Sequence, residues 1–197
     1  MRKTLALVLP GLLATLLWSC GQKDYYPKPL GYNRIELPPQ QYTMSADSMP
    51  YRFEMSKHAV MLDDTSWISK RYWSQLYYPK LEASVELTYY NLKKDGKFLR
   101  ELIEDSHRLS EKHQNKASSI ESGFITTDEG YRAVITEIEG DVPTQFNFFV
   151  TDSTDNFLRG ALYFRTSLKN DSLAPVIDYV KRDMVRMIKT TRWNVPK

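Results

Sequence analysis

From Tyr51 onward, hydrophobic and polar positions recur with a regular period. Tyr51, Phe53 and Met55 alternate with Arg52 and Glu54, which predicts a strand. The aromatic run from Trp67 to Trp73 predicts another. Leu81, Ala83, Val85, Leu87 and Tyr89 alternate with Glu82, Ser84, Glu86, Thr88 and Tyr90, the pattern of a strand with one face in a core and one face wet. After the turn signal Asp95-Gly96 the period changes. Phe98, Leu99, Leu102, Ile103 and Leu109 recur at helical spacing, and Arg100, Glu101, Glu104, Asp105, Arg108 and Glu111 fall largely on the other face. A helix is predicted over about 97–114. Strands follow over 119–126, 131–139, 145–151 and 157–165. They are separated by Asp128-Glu129-Gly130, Gly140-Asp141 and Asp152-Ser153-Thr154-Asp155. The last element is a helix whose stripe is Leu173, Val176, Ile177, Val180, Met184, Met187 and Ile188. Asn170, Asp171 and Ser172 are candidate N-caps, and Pro175 is expected near the first turn.

Strands, a helix, more strands and a helix make an α+β fold: an antiparallel sheet packed by two main helices. No alternating strand–helix rhythm is present, so a doubly wound parallel sheet is not expected. Residues 50–197 are read as a single domain. Before it, residues 20–49 are rich in Pro and Tyr. Pro27, Pro29, Pro38, Pro39 and Pro50 exclude a long helix. Ile35 and Leu37 alternate with Arg34 and Glu36, which predicts a short edge strand ending at Pro38. This stretch is read as a tether whose second half docks on the domain.

The first residues have a different character. Met1-Arg2-Lys3 is basic, Leu5 to Trp18 is an apolar run, and Ser19-Cys20-Gly21 is small. This is the layout of a secretory signal over residues 1–19. The run is shorter than the roughly 20 residues that a membrane-spanning helix needs. Leu17-Trp18-Ser19-Cys20 resembles the bacterial lipobox, and Cys20 is the single cysteine of the chain. Cys20 is therefore the expected lipidation site; the competing reading is an ordinary signal peptide with a chance cysteine. Diacyl attachment would hold the protein stably on a bilayer. Gln22-Lys23-Asp24 loosely resembles a surface-export signal, and a plain polar tether fits it equally well. The periplasmic face of the outer membrane is the expected location.

Composition narrows the chemistry. The chain has 197 residues and a net charge of +3; removal of Arg2 and Lys3 with the signal leaves 25 basic and 24 acidic side chains. These are interspersed, with no basic stripe, so no nucleic-acid partner is expected. A lone cysteine excludes an internal disulfide and a cysteine-based metal site. His58, His107 and His113 show no ligand spacing, and no phosphate-binding glycine motif occurs. No metal, cofactor or catalytic residue is expected. Glu137 and Glu139 share a strand face, normally a wet one, but a glycosidase-like pair is conceivable there. The aromatic block 146–164 reads as two core strands around an Asp-rich turn. Its functional alternative is a recognition loop formed by Asp152, Ser153, Asp155 and Arg159, with Arg159 able to pair with Asp152 or Asp155 and fix the turn.

Six segments taken together resemble one known family. PKPLGYNRIELP (27–38), PYRF (50–53), DSHRLSEKHQNKASSI (105–120), QFNFFVTDSTDNFLRGALYF (145–164), NDSLAPVIDYVKRDM (170–184) and Arg192-Trp193 resemble the gliding motility lipoprotein family GldD of Bacteroidetes. The resemblance implies a lipid-anchored envelope protein needed for gliding and type IX secretion, with no enzymatic activity. It implies other envelope proteins of that machinery as partners, and leaves the oligomeric state open. Tyr32 and Arg34, beside Asp152, Ser153, Asp155 and Arg159, become candidate partner-binding residues, because stiffened segments lose little entropy on docking. By topology the element order is also similar to the PsbP/Mog1-like α/β/α sandwich. An envelope hydrolase or carbohydrate-binding module with an aromatic cleft and carboxylates is the alternative class.

Overall fold

A computed structural model describes residues 35–165 and 170–194. The signal segment, Cys20, Tyr32 and Arg34 lie outside the described residues, as do the side chains of the candidate caps Asn170, Asp171 and Ser172. All described residues belong to one compact unit.

The centre is a seven-stranded antiparallel sheet. Its strands are β4 (Val60–Asp63), β5 (Ser74–Tyr78), β6 (Ala83–Asn91), β7 (Ala117–Thr126), β8 (Arg132–Gly140), β9 (Phe146–Thr151) and β10 (Asn156–Phe164), in the spatial order β4-β5-β6-β10-β9-β8-β7. Helix α1 (Gly96–Glu111) lies on one face and α2 (Asn170–Lys189) on the other. The layers are α/β/α, and the class is α+β. Two short ribbons complete the fold: β1 (Tyr42–Met44) with β3 (Glu54–Ser56), and β2 (Tyr51–Arg52) with β11 (Arg192–Trp193).

Alternation along the strands decides which side chain faces which helix. Ala83, Val85, Leu87, Phe146, Phe148, Val150, Leu158 and Leu162 are buried against Val176, Tyr179, Val180, Met184, Met187 and Ile188 of α2. Burial of one such large side chain contributes roughly 1.5–3 kcal/mol, so this layer is the main source of stability. Gly160 fits the same layer. It pairs with Phe148 across the strands, and a Cβ there would stand 2.1 Å from the Phe148 ring. The α1 side holds a smaller cluster of Leu92, Leu102, Phe149 and Phe157, with Tyr90, Phe98, Leu99, Ile103 and Val134 packed around it. Asp95 caps α1, its carboxylate accepting from the backbone amides of Lys97 and Phe98.

The N-terminal stretch is anchored by a buried carboxylate. Asp183 of α2 is only 3% exposed. It accepts hydrogen bonds from Gln40 Nε2 (3.1 Å), the Tyr42 hydroxyl (3.0 Å) and the Tyr78 hydroxyl (3.3 Å). Ile35, Leu37 and Met49 pack against the main core nearby. Burial raises the Asp183 carboxyl above its ordinary value, and the donors from Tyr42, Ser56, Tyr78 and Gln40 offset that only in part. The Tyr42 hydroxyl is pushed up to about 12, first by burial and then by its bond to Asp183.

Several sequence expectations are corrected. Ile35 and Leu37 pack against the main core but form no strand; among the described residues the first strand is 42–44. The strand at 51–55 is split at Phe53, because its halves pair with different partners, Trp193 and Arg192 on one side and Tyr42–Met44 on the other. Residues 67–73 are not a strand. Ser66 N donates to Asp64 Oδ1 (2.8 Å), Ser69 Oγ to the Asp64 carbonyl (2.7 Å), and Tyr72 has φ +70°, so local turn bonds outweigh aromatic β propensity. The strands that flank this loop, β4 and β5, were not expected. Pro175 falls in the second turn of α2 rather than the first.

Candidate functional site

The α1 face of the sheet changes character along its length. On β6, Tyr90 gives way to Thr88 and Glu86; on β10, Phe157 to Arg159 and Ala161; on β9, Phe149 to Asn147; on β8, Val134 to Thr136. The register places Gln75, Glu86, Ala161, Asn147, Thr136 and Ser122 in one row across six strands. The helix changes in step: Phe98, Leu99, Leu102 and Ile103 are followed by Ser106 and Ser110, with His113 in the turn just beyond its end. Where sheet and helix are both apolar they pack. Where both turn polar and small, a cleft of about 290 Å³ opens between them.

Polar groups line it. Arg159 Nη1 donates to Asp105 Oδ2 of α1 at 3.0 Å, and Asp105 also faces Arg108 at 3.6 Å. Asn147 accepts from Thr144 Oγ1 (2.8 Å) and reaches Ser110 Oγ at 3.4 Å. Thr88 Oγ1 is buried and has no hydrogen-bond partner. Burial pushes the Glu86 carboxyl up, and the charge of Asp64 adds to it. Burial, then Lys112, holds the His113 imidazole below its ordinary value. His107 lies on the wall, with its ring edge-on to Phe149 at 6.2 Å. His107 and His113, which show no ligand spacing in the sequence, thus border one cavity. Sequence alternation marks Glu86 and Thr88 as wet positions, and Glu86 is exposed, but it does not reveal that both border a cleft beside a helix.

Asp152, Ser153, Asp155 and Arg159 do not gather into one loop. Asp152 Oδ1 accepts from the backbone amides of Thr154, Asp155 and Asn156, each at 2.9 Å, and Oδ2 accepts from Asn156 Nδ2 at 2.5 Å. Burial raises the Asp152 carboxyl, but these donors outweigh it and the net direction is down. Its oxygens are engaged in holding its own turn. Ser153 is exposed at φ +64°, with its amide on Thr151 Oγ1. The Asp155 carbonyl accepts from Leu92 N at 2.8 Å. Arg159 pairs with Asp105 of α1 rather than with Asp152 or Asp155, because alternation turns it under the helix. Glu137 forms an ion pair with Lys181 of α2, and both border a shallow depression with Glu139 and Asp178. Among the described residues, no group of three or more His, Cys, Asp or Glu stands close enough to hold a metal ion, and no helix is long and apolar enough to cross a membrane.

A second surface lies at the β4 edge. Val60 and Leu62 are exposed on this edge strand, Ile68 is 53% exposed and Trp67 is 96% exposed. The loop that carries Trp67 is closed at its neck by the Asp64 N to Trp73 O bond (3.1 Å), and Trp73 Nε1 donates to the Tyr89 carbonyl (3.2 Å). An indole is thus held out in water by an ordered base. The sequence reading missed this surface because it placed Trp67 in a strand.

These features define a small three-layer α+β domain with a cleft under the second half of α1 and shallower depressions beside α2. The chain belongs to the gliding motility lipoprotein GldD family, whose model matches residues 22–193. It is thereby a gliding-related lipoprotein of the cell envelope. No curated protein matches it. Among solved structures, the solution structure of cyanobacterial PsbP (CyanoP) from Synechocystis sp. PCC 6803 is similar over 84% of this chain and 99% of its own, at 11% identity and a TM-score of 0.45.

Proposed function

We propose that this chain is a non-catalytic, lipid-anchored accessory component of the gliding motility and type IX secretion apparatus that works by binding partner envelope proteins. In this reading Cys20 carries the lipid, residues 1–19 are removed, residues 20–49 tether residues 50–197, and the domain faces the periplasm from the outer membrane. The observation that carries partner binding is the exposed group Val60, Leu62, Trp67 and Ile68 at an edge strand. Tryptophan is enriched among interface anchors, and an edge strand offers unpaired backbone groups to a partner. An ordered loop base lowers the entropy cost of docking the indole. Tyr32 and Arg34 remain candidate contacts on the tether. Asp152, with its oxygens held within its own turn, is a weaker one than Ser153, which is exposed.

Two measurements test this. Trp67→Ala in cells is expected to leave the protein's level and melting unchanged while gliding and secretion fall; normal gliding and secretion would refute the docking role. Labelled palmitate is expected to enter the wild type and not Cys20→Ser. Equal labelling of both would refute the anchor.

A further inference from the structure

We propose that the cleft under the second half of α1 is a binding site for a small, neutral, hydroxyl-rich ligand of about the size of one pyranose ring. The case begins with packing. Protein interiors are filled at crystal-like density, and a helix seated on a sheet normally fills the gap with large apolar side chains. Here the gap-facing positions are Ser106 and Ser110 on the helix and Thr88, Ala161, Asn147 and Thr136 on the sheet. A change from apolar to small or polar that occurs in step on four strands and one helix is a shaped feature of the fold. The resulting cavity, about 290 Å³, is close to the lower end of the range of small-molecule sites.

The lining selects the chemistry. A purely apolar ligand would leave Thr88 Oγ1 without a partner and would desolvate Glu86 and Arg159 without repayment in hydrogen bonds. An anion would meet Glu86, and Asp105 already holds Arg159 Nη1. A cation would meet Arg159, Lys112 and the two histidines. A neutral ligand whose hydroxyls both donate and accept matches an acceptor carboxylate, a donor guanidinium and a hydroxyl of either role in one wall. Phe149 and Ala161 supply an apolar floor for the CH face of a ring. Such binding needs no bond-breaking step and is independent of the docking role of Trp67.

The test is saturation-transfer NMR on the full lipidated protein in micelles of a detergent without a sugar head group. Glucose, galactose, mannose and N-acetylglucosamine are the probes. Transfer to the ring protons of at least one is expected, with at least a tenfold loss of affinity in Ala161→Leu, which fills the cavity, and in Thr88→Val, which removes the buried hydroxyl. Thr88→Val keeps the shape and deletes an unpartnered oxygen, so it folds even where Ala161→Leu does not. Absence of transfer to all four sugars, or transfer undiminished in Thr88→Val, would overturn the proposal.

Discussion

On the α2 side of the sheet, β10 presents Leu158, Gly160 and Leu162, and β9 presents Phe146, Phe148 and Val150. On the α1 side, the same two strands present Phe157, Arg159, Ala161 and Tyr163, and Asn147 and Phe149. Backbone, register and neighbours are shared; only the parity of the residue differs. One side is filled to the point where no Cβ fits at Gly160, and the other leaves room beside Ala161. The first side is where stability is concentrated. The second is free of that demand, and its polar side chains are available for recognition.

The comparison is broken most directly at adjacent residues. Leu162, fully buried against α2, is expected to cost about 2–5 kcal/mol on truncation to Ala. Chemical denaturation measures this, and a loss below about 1 kcal/mol would mean that the α2 side is not the stabilising core. Next in size is Asp183→Ala, expected to cost about 2–4 kcal/mol because it leaves the Tyr42, Tyr78 and Gln40 donors without their acceptor. The pH dependence has a definite sign. The folded carboxyl lies above its unfolded value, so the folded state holds the proton more tightly. Its stabilising contribution is complete below about pH 4, the unfolded value, and is lost as pH rises through the folded value. Subtracting the pH profile of Asp183→Asn from that of the wild type is expected to show this fall; a difference that rises with pH would contradict it. Smaller again is Gly160→Ala, at about 1–3 kcal/mol of overpacking, since the added Cβ meets the Phe148 ring. Phe148→Leu in the same chain is expected to recover part of it. Without that recovery, Phe148 is not what excludes a side chain at Gly160.

How far the sequence disclosed these two sides follows from the same asymmetry. The α2 side was legible. The alternation of Ala83 to Tyr89 and the stripe from Leu173 to Ile188 each mark one apolar face, and two apolar faces must meet. The α1 side was legible only where Phe98 to Ile103 continue the apolar pattern. Past that point Thr88 and Glu86 read as solvent positions, and Asn147 falls inside a block that reads as core strand. Alternation separates wet from dry but is silent about which wet face a helix covers. The Arg159–Asp105 pair spans 54 residues of sequence, beyond any local pattern. The loop of Trp67 failed for another reason. Its aromatic content favours a strand, but Asp64, Ser66 and Ser69 supply turn bonds that compete with strand pairing, and Tyr72 adopts a left-handed backbone.

The smallest effect sharpens the comparison from its other end. Arg159 is mostly covered, at 20% side-chain exposure, but its partner Asp105 is 46% exposed and also faces Arg108. An ion pair open to water on one partner is worth about 1 kcal/mol or less, and salt screens it. Asp105→Asn keeps a hydrogen-bond acceptor for Arg159 and removes only the charge. It is therefore expected to cost under about 1 kcal/mol in denaturation, with the difference from wild type shrinking as salt is raised. A loss of 3 kcal/mol or more would mean that α1 is held to the sheet chiefly through this pair. The cleft beside it would then be a structural gap bridged by charge, and the division between a stabilising face and a recognising face would fail.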